Sequence, residues 1–186
     1  MNIVKIMNDK ELIARLKSGE GRDDAFRELL KTYGHKLYWH IRRIVVSHDD
    51  AEDVMQETAM RILTGIDGYE GKSSLLTWVY RIATNEALML LRKRCPMFHS
   101  IDSLGESLAE KVASEASVDA DAATVLFQQA VALLPAQQRI AFNLRYYDEM
   151  TYEQMAQVTG KNVSTLKTNY HFAVERVKKY LKENSI

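Results

Sequence analysis

A helix-turn-helix pattern between Thr151 and Lys179 constrains the fold more than any other segment of this chain. Thr151 and Gln154 have the spacing of a capping box, which predicts the start of a first helix, and Gly160 predicts its end. The second helix carries apolar residues every three or four positions, a spacing that predicts one buried stripe. The stripe comprises Leu166, Tyr170, Ala173, Val177 and Leu181.

The other face of this second helix is polar and suits DNA. Hydroxyl groups and cations at the exposed start of such a helix can contact base edges and phosphates in a major groove. The candidate DNA-reading residues are Ser164, Thr165, Lys167, Thr168 and His171. Two packed helices of an ordinary bundle would also have a polar outer face. The combined spacing of Ala156, Gly160 and Leu166 favours the DNA-reading interpretation.

Composition excludes several classes of protein. The 186 residues are 46% hydrophobic, contain no apolar run long enough for a bilayer, and open with a segment too short for a signal-peptide core. We therefore expect no membrane insertion and a cytoplasmic location. Cys95 is the single cysteine, so we expect a free thiol without a catalytic role. Because no metal spacing, phosphate loop or nucleophile-base pair is present, we expect no metal, no cofactor, no catalytic residue and no enzyme activity.

The net charge of zero conceals three differently charged segments. Residues 1–98 carry +2, residues 99–121 carry −5 and residues 122–186 carry +3. The middle segment is rich in Ser, Glu and Ala and follows Pro96, which predicts an acidic flexible linker with at most a helical turn around Leu108. We therefore predict two small domains, at 1–98 and 122–186, joined by a linker at 99–121.

Hydrophobic periodicity predicts an all-α fold, since no segment alternates with period two and no tight hairpin turn is evident. The first domain is predicted to contain helices at about 9–18, 23–46, 49–66 and 74–94. The second is predicted to contain helices at about 121–133, 136–147, 152–158 and 163–182. Its final helix pair is the helix-turn-helix.

An acidic stripe is predicted on the third helix. Some of its carboxylates, such as Asp49 and Asp50, lie in the first turn after Ser47, where they stabilise the start of the helix. Beyond that turn, carboxylates and an amide surround an exposed methionine, which is more typical of a partner-binding surface than of a solvated one. The stripe comprises Asp53, Gln56, Glu57 and Met60.

The fourth helix is predicted to carry a face suited to opened DNA. Cations can hold phosphates, while an amide and aromatic rings can receive an unstacked base. The candidates in and before this helix are Lys72, Ser73, Trp78, Tyr80, Arg81, Thr84, Asn85, Arg92, Lys93 and Arg94. Trp78 and Tyr80 could instead be ordinary core aromatics, and the core is the favoured interpretation for Trp78.

The order of these parts resembles the extracytoplasmic-function (ECF) sigma factors of bacterial RNA polymerase. Three segments carry the resemblance: the acidic run from Asp50 to Glu57, the helical run from Thr77 to Asn85, and Leu134-Pro135 followed by the block from Thr151 to Lys167. It covers nearly the whole chain. Each motif alone is moderately specific, whereas three in this order are strongly specific.

The resemblance implies a transcription initiation factor that binds core RNA polymerase, opens the −10 promoter element and reads the −35 element. Asp50, Asp53, Gln56, Glu57 and Met60 would dock on the clamp helices of the β′ subunit. Asn85 would capture a flipped base in a pocket formed with the loop 69–74, and the second domain would touch the β flap. The acidic linker would thread toward the RNA exit path, and an anti-sigma factor is an expected partner.

Some positions depart from the family pattern, and two alternatives stay open. Met89 stands where Asp is frequent, Lys161 where an apolar residue is usual, and Asn169 and Phe172 where arginines are common. One alternative is a conventional helix-turn-helix regulator that acts without core polymerase. The other is a helical adaptor that binds polymerase without reading promoters.

Overall fold

The computed structural model describes residues 8–94, 105–116 and 121–184, and every long regular element within them is an α-helix. The predicted all-α fold is confirmed. The helices are α1 Asp9–Ser18, α2 Arg22–Val45, α3 His48–Gly65, α4 Leu75–Arg94, α5 Gly105–Glu115, α6 Ala122–Ala132, α7 Ala136–Tyr146, α8 Tyr152–Thr159 and α9 Val163–Asn184. Cys95 and Pro96 lie outside the described residues.

Helices α1 to α4 form a first bundle whose boundaries follow from local chemistry. The Asn8 side chain accepts a hydrogen bond from the backbone of Glu11 and thereby caps α1, and Ser47 caps α3 in the same way through Asp50. Helix α2 contacts α1, α3 and α4, and its buried side chains, such as Leu37 and Ile41, are fully enclosed. The long helix α2 is therefore the centre of this bundle.

Helices α6 to α9 form a second bundle that includes the helix-turn-helix. The predicted capping box is present. The Gln154 side chain accepts a 2.8 Å hydrogen bond from the Thr151 backbone N–H, and the Thr151 hydroxyl accepts one of 3.2 Å from the Gln154 backbone N–H. Gly160 has φ 69°, the left-handed conformation that a glycine adopts without strain. The predicted stripe of α9 faces inward at Leu166, Ala173 and Val177. Local sequence signals therefore define the turn between α8 and α9.

Helix α5 lies inside the segment predicted to be a flexible linker. Its Leu108 and Ala109 are buried against Val46, which follows the last residue of α2, and against Ala132 of α6. This apolar stripe is too short to predict a helix from the sequence alone. Gly105 permits close approach to α6, because an added Cβ would lie 3.2 Å from the carbonyl oxygen of Leu133. Residues 105–115 are thus ordered against both bundles.

The two bundles share one hydrophobic core. The largest buried cluster joins side chains of α2 and α4 to Met150, Met155, Val158 and Leu166 of the second bundle. Helix α8 packs directly on α4. The bundles are therefore in extensive contact in this conformation.

A buried carboxylate fixes the alignment of the two bundles. Asp148, in the turn between α7 and α8, lies 2.8 Å from Nδ1 of His40, 3.3 Å from the Arg43 guanidinium and 3.3 Å from the Tyr80 hydroxyl. The other nitrogen of His40 lies 2.8 Å from the Thr84 hydroxyl. We call Asp148, His40, Arg43 and Tyr80 the interdomain polar cluster. Burial and the charge of Asp148 raise the pKa of Tyr80, so its hydroxyl stays a neutral donor.

No helix within the described ranges is both long and apolar enough to cross a membrane.

Asp148→Ala should separate the bundles without unfolding them. The change leaves His40 buried without its carboxylate partner, and loss of one member of a buried pair costs about 3 kcal/mol. We expect a larger radius of gyration in small-angle X-ray scattering and unchanged helical circular dichroism. Glu149→Gln, at the exposed neighbouring position, is the matched control. An unchanged radius for Asp148→Ala would show that apolar contacts alone hold the bundles together.

Candidate functional site

The acidic surface of α3 is exposed as predicted from the sequence. Asp53, Gln56 and Glu57 lie on the solvent side of the helix, and Met60 is 59% exposed beside them. Among the described residues, none of the first three has a hydrogen-bond or ion-pair partner. We call these four residues the acidic surface. An exposed methionine among unpaired acceptors can contact a cationic partner with an apolar component.

Asp50 does not belong to this surface, contrary to the prediction. Its side chain is only 4% exposed and is paired with the guanidinium of Arg94, and Lys111 Nζ lies 3.7 Å away. Sequence periodicity cannot reveal this, because the partners come from the end of α4 and from α5. Asp50 instead ties three helices together.

Helix α4 presents cations and an amide along one outer face. Arg81, Asn85 and Arg92 are exposed and occur at i, i+4 and i+11, which places them within about 40° of one another around the helix. Lys93 continues the exposed basic end, and these four side chains make no hydrogen bond or ion pair with any described residue. We call Arg81, Asn85, Arg92 and Lys93 the basic surface. Its unpaired donors are available to phosphates and bases.

Two residues predicted to contact DNA are buried in this conformation. Tyr80 is 2% exposed and belongs to the interdomain polar cluster, while Thr84 is 2% exposed and donates to the Tyr80 carbonyl oxygen. Thr77 and Leu88, which helical spacing places on the same side of α4 as Arg81 and Thr84, are buried as well. A helical repeat in the sequence indicates one buried face. Helix α4 packs against its own bundle and also against α8, so more of its side chains are buried. The exposed face of α4 is therefore narrower than its periodicity predicts.

The loop before α4 and the start of the helix are held by aromatic packing. Trp78 is half-buried with its ring centroid 5.2 Å from that of Tyr69, which agrees with the interpretation of Trp78 as a core aromatic. The Tyr69 hydroxyl donates to the carbonyl oxygen of Ser73. Lys72 is exposed and paired with Glu70. Internal contacts of Tyr69 therefore hold the loop, and the Lys72 side chain remains on its surface.

The acidic and basic surfaces are held in a fixed relation. Arg61 of α3 lies 3.2 Å from Glu86 of α4, and this pair joins the two helices beside Asn85. Arg94, which was predicted to bind DNA, is about half exposed and forms an ion pair with Asp50. Its charge is thus partly used within the protein.

All five predicted residues of the recognition helix α9 are exposed on the second bundle. The Asn162 side chain accepts a 2.7 Å hydrogen bond from the Thr165 backbone, so the helix begins where the turn predicts. Lys167 Nζ lies 5.6 Å from the Tyr152 ring centroid, which steadies its long side chain. We call Ser164, Thr165, Lys167, Thr168 and His171 the recognition surface.

Sequence reasoning missed the interdomain polar cluster. Asp148 precedes Glu149 in a turn and has the appearance of an ordinary exposed carboxylate, and His40 lies within an amphipathic helix. Only the tertiary fold brings them together across 108 positions of sequence. No group of three or more His, Cys, Asp or Glu side chains in the described part of the chain is arranged to hold a metal ion.

Family profiles match both bundles. The profile of sigma-70 region 2 matches residues 29–95, and that of sigma-70 region 4 matches residues 124–177. The first range contains the acidic and basic surfaces. The second contains the recognition surface.

Curated relatives match over nearly the full length. The chain is 28% identical to the ECF RNA polymerase sigma factor SigW of Bacillus subtilis over 183 residues, 94% of this chain and 97% of that protein. It is 29% identical to the RNA polymerase sigma-H factor of Pseudomonas aeruginosa over 182 residues, 93% of each chain.

Two solved structures share the fold. CnrH, solved in complex with the cytosolic domain of CnrY, superposes with a TM-score of 0.70 at 22% identity, covering 95% of this chain and 99% of that one. The sigma factor RpoE of Bartonella quintana, solved with the anti-sigma factor NepR, superposes with a TM-score of 0.66 at 24% identity, covering 86% and 98%.

Proposed function

The chain belongs to the ECF sigma factors, which direct bacterial RNA polymerase to promoters, and we propose how its surfaces divide this work. The observation that carries the assignment is the succession of regions 2 and 4 along one chain, each with its exposed polar face. The acidic surface docks on core polymerase, the basic surface opens the −10 element, and the recognition surface reads the −35 element.

The acidic surface suits docking on core because its acceptors are free. Asp53, Gln56 and Glu57 would not have to break internal bonds to bind a partner, and Met60 supplies apolar area at the centre of the contact. The partner surface should therefore be cationic, and we place it on the clamp helices of the β′ subunit.

The basic surface suits an opened strand. Arg81 and Arg92 flank Asn85, so phosphates bound by the two arginines would place a base next to its amide. The amide can donate and accept hydrogen bonds at once, which permits discrimination among bases. We assign base capture to Asn85 and leave Tyr80 and Thr84 out of the DNA contact of this conformation.

The recognition surface suits a major groove. Its hydroxyls and Lys167 lie at the start of α9, away from the core of the second bundle, where a helix-turn-helix places its reading residues. We further propose that the second bundle touches the β flap. Residues 1–98, 99–121 and 122–186 then act as the −10 domain, the connecting segment and the −35 domain.

Regulation by an anti-sigma factor is a further part of the proposal. The RpoE relative was solved with such a factor. We propose that this chain also has an anti-sigma partner and acts in the cytoplasm as a non-enzymatic factor. A conventional regulator is not favoured, since residues 29–95 match a sigma region rather than a receiver or ligand-binding domain.

Asp53→Arg combined with Gln56→Arg should abolish binding to core polymerase. The change reverses the charge of the acidic surface, while exposed substitutions usually cost under about 0.5 kcal/mol of stability. Core capture by the purified variant and its thermal melting curve measure the two effects. Asp23→Arg with Thr32→Arg, two exposed positions on α2, gives the same change in net charge and should retain binding. Normal core capture by the first variant would refute docking through α3.

Asn85→Ala should keep core binding and −35 contacts but lose base preference at one −10 position. Loss of the amide contact should cost about 1–3 kcal/mol of discrimination. Permanganate footprinting across a −10 library measures strand opening and preference together.

Arg92→Ala is the control for the Asn85 test. It removes a phosphate-binding cation and should weaken binding at all sequences without changing base preference. Wild-type preference and opening in Asn85→Ala would exclude Asn85 from the mechanism.

A further inference from the structure

An exposed aromatic side chain, Phe172, lies beside the recognition surface. Phe172 is 51% exposed on α9, and the other exposed large hydrophobic residues of the described chain, Trp39, Met60 and Tyr146, lie on other helices. A phenylalanine ring carries no charge for a phosphate, so the contact it can offer to DNA is an apolar one.

Phe172 shares a face of α9 with two threonines. Thr165, Thr168 and Phe172 occur at i, i+3 and i+7, which places them within about 60° of one another around the helix and outside the buried side that contains Leu166 and Ala173. The distance along the axis from Thr165 to Phe172 is about 10.5 Å at 1.5 Å per residue. The major groove admits an α-helix, so a row of this length on α9 can face the base edges along the groove.

The surroundings of Phe172 permit approach to DNA. The His171 ring packs against the Phe172 ring with centroids 5.7 Å apart, which limits the freedom of the aromatic side chain. The nearby acid Glu175 lies 3.3 Å from Lys178 Nζ, a pairing that offsets its repulsion of phosphates. Arg176, one turn further on, is exposed and can bind the backbone at the edge of the groove.

The chemistry of the groove selects the target. The thymine 5-methyl group is the apolar feature that base edges present in the major groove, and Phe and the Thr methyl group are side chains that contact it. We propose that Phe172 reads the 5-methyl group of one thymine in the −35 element. The inference rests on the proposed entry of α9 into the major groove, and it names the base chemistry that this chain selects.

The test removes a single methyl group from DNA. Promoters are first selected from a random library with the full-length protein and core polymerase, and each −35 thymine is then replaced in turn by uracil. For the wild-type holoenzyme, uracil at one position should weaken promoter binding about fourfold, the equivalent of about 0.8 kcal/mol for one buried carbon group. In Phe172→Ala, thymine and uracil should bind equally at that position, with sensitivity at other positions unchanged.

Two further variants sharpen the result. Tyr146→Ala removes another exposed aromatic of the second bundle and should behave as the wild type. Phe172→Leu restores an apolar contact and should recover part of the thymine preference. Circular dichroism checks that each variant is folded.

Three outcomes would overturn the inference: a wild-type holoenzyme indifferent to uracil at every position, the same sensitive position persisting in Phe172→Ala, or loss of core binding by a folded Phe172→Ala. The last result would make Phe172 a protein-docking residue. Failure of the wild-type holoenzyme to select any promoter would instead refute the proposed function itself.

Discussion

The carboxylate of Asp148 is the interaction on which the arrangement of the molecule depends. A buried carboxylate is costly without partners, and all of its partners, His40, Arg43 and Tyr80, belong to the first bundle. The turn before α8 is therefore fixed against α2 and α4. Because α8 then lies on α4, the position of one carboxylate decides which face of α4 stays exposed.

The remaining contacts extend this arrangement toward the linker. Arg43 also lies over the Tyr147 ring, with its guanidinium carbon 4.1 Å from the centroid, and Arg42 pairs with Glu115 of α5 at 2.7 Å. Asp50, Arg94 and Lys111 tie the start of α3 and the end of α4 to α5. The acidic linker thus uses part of its charge internally, and the acidic, basic and recognition surfaces remain open on three different helices.

Local signals were sufficient to predict every helix of the described residues except α5. Apolar periodicity, the cap at Ser47 and the left-handed Gly160 placed their ends within about two residues, because these features depend on neighbours in sequence. The exposed positions of α3 and α9 also followed from periodicity, since one side of each helix faces solvent. Sequence resemblance further indicated the sigma-factor family, which the profile matches support.

The predictions from sequence that the structure contradicts all involve residues whose partners are distant in sequence. Asp50 was placed on the surface although Arg94 and Lys111 enclose it, and Thr84 was placed on DNA although His40 bonds it. A second bundle packed on α4 changes which residues are exposed, and no repeat within α4 encodes that contact. Helix α5 was not predicted for the same reason, since its short apolar stripe is buried only through contact with Val46 and Ala132.

Core-dependent promoter choice is the most direct test of the account. Transcription by core polymerase on a random promoter library, with RNA 5′ ends mapped by sequencing, should yield starts downstream of one shared pair of elements only when this protein is added. The protein alone should not occupy those elements. Specific binding to DNA without core, or binding to core with no change in start sites, would contradict its function as a sigma factor.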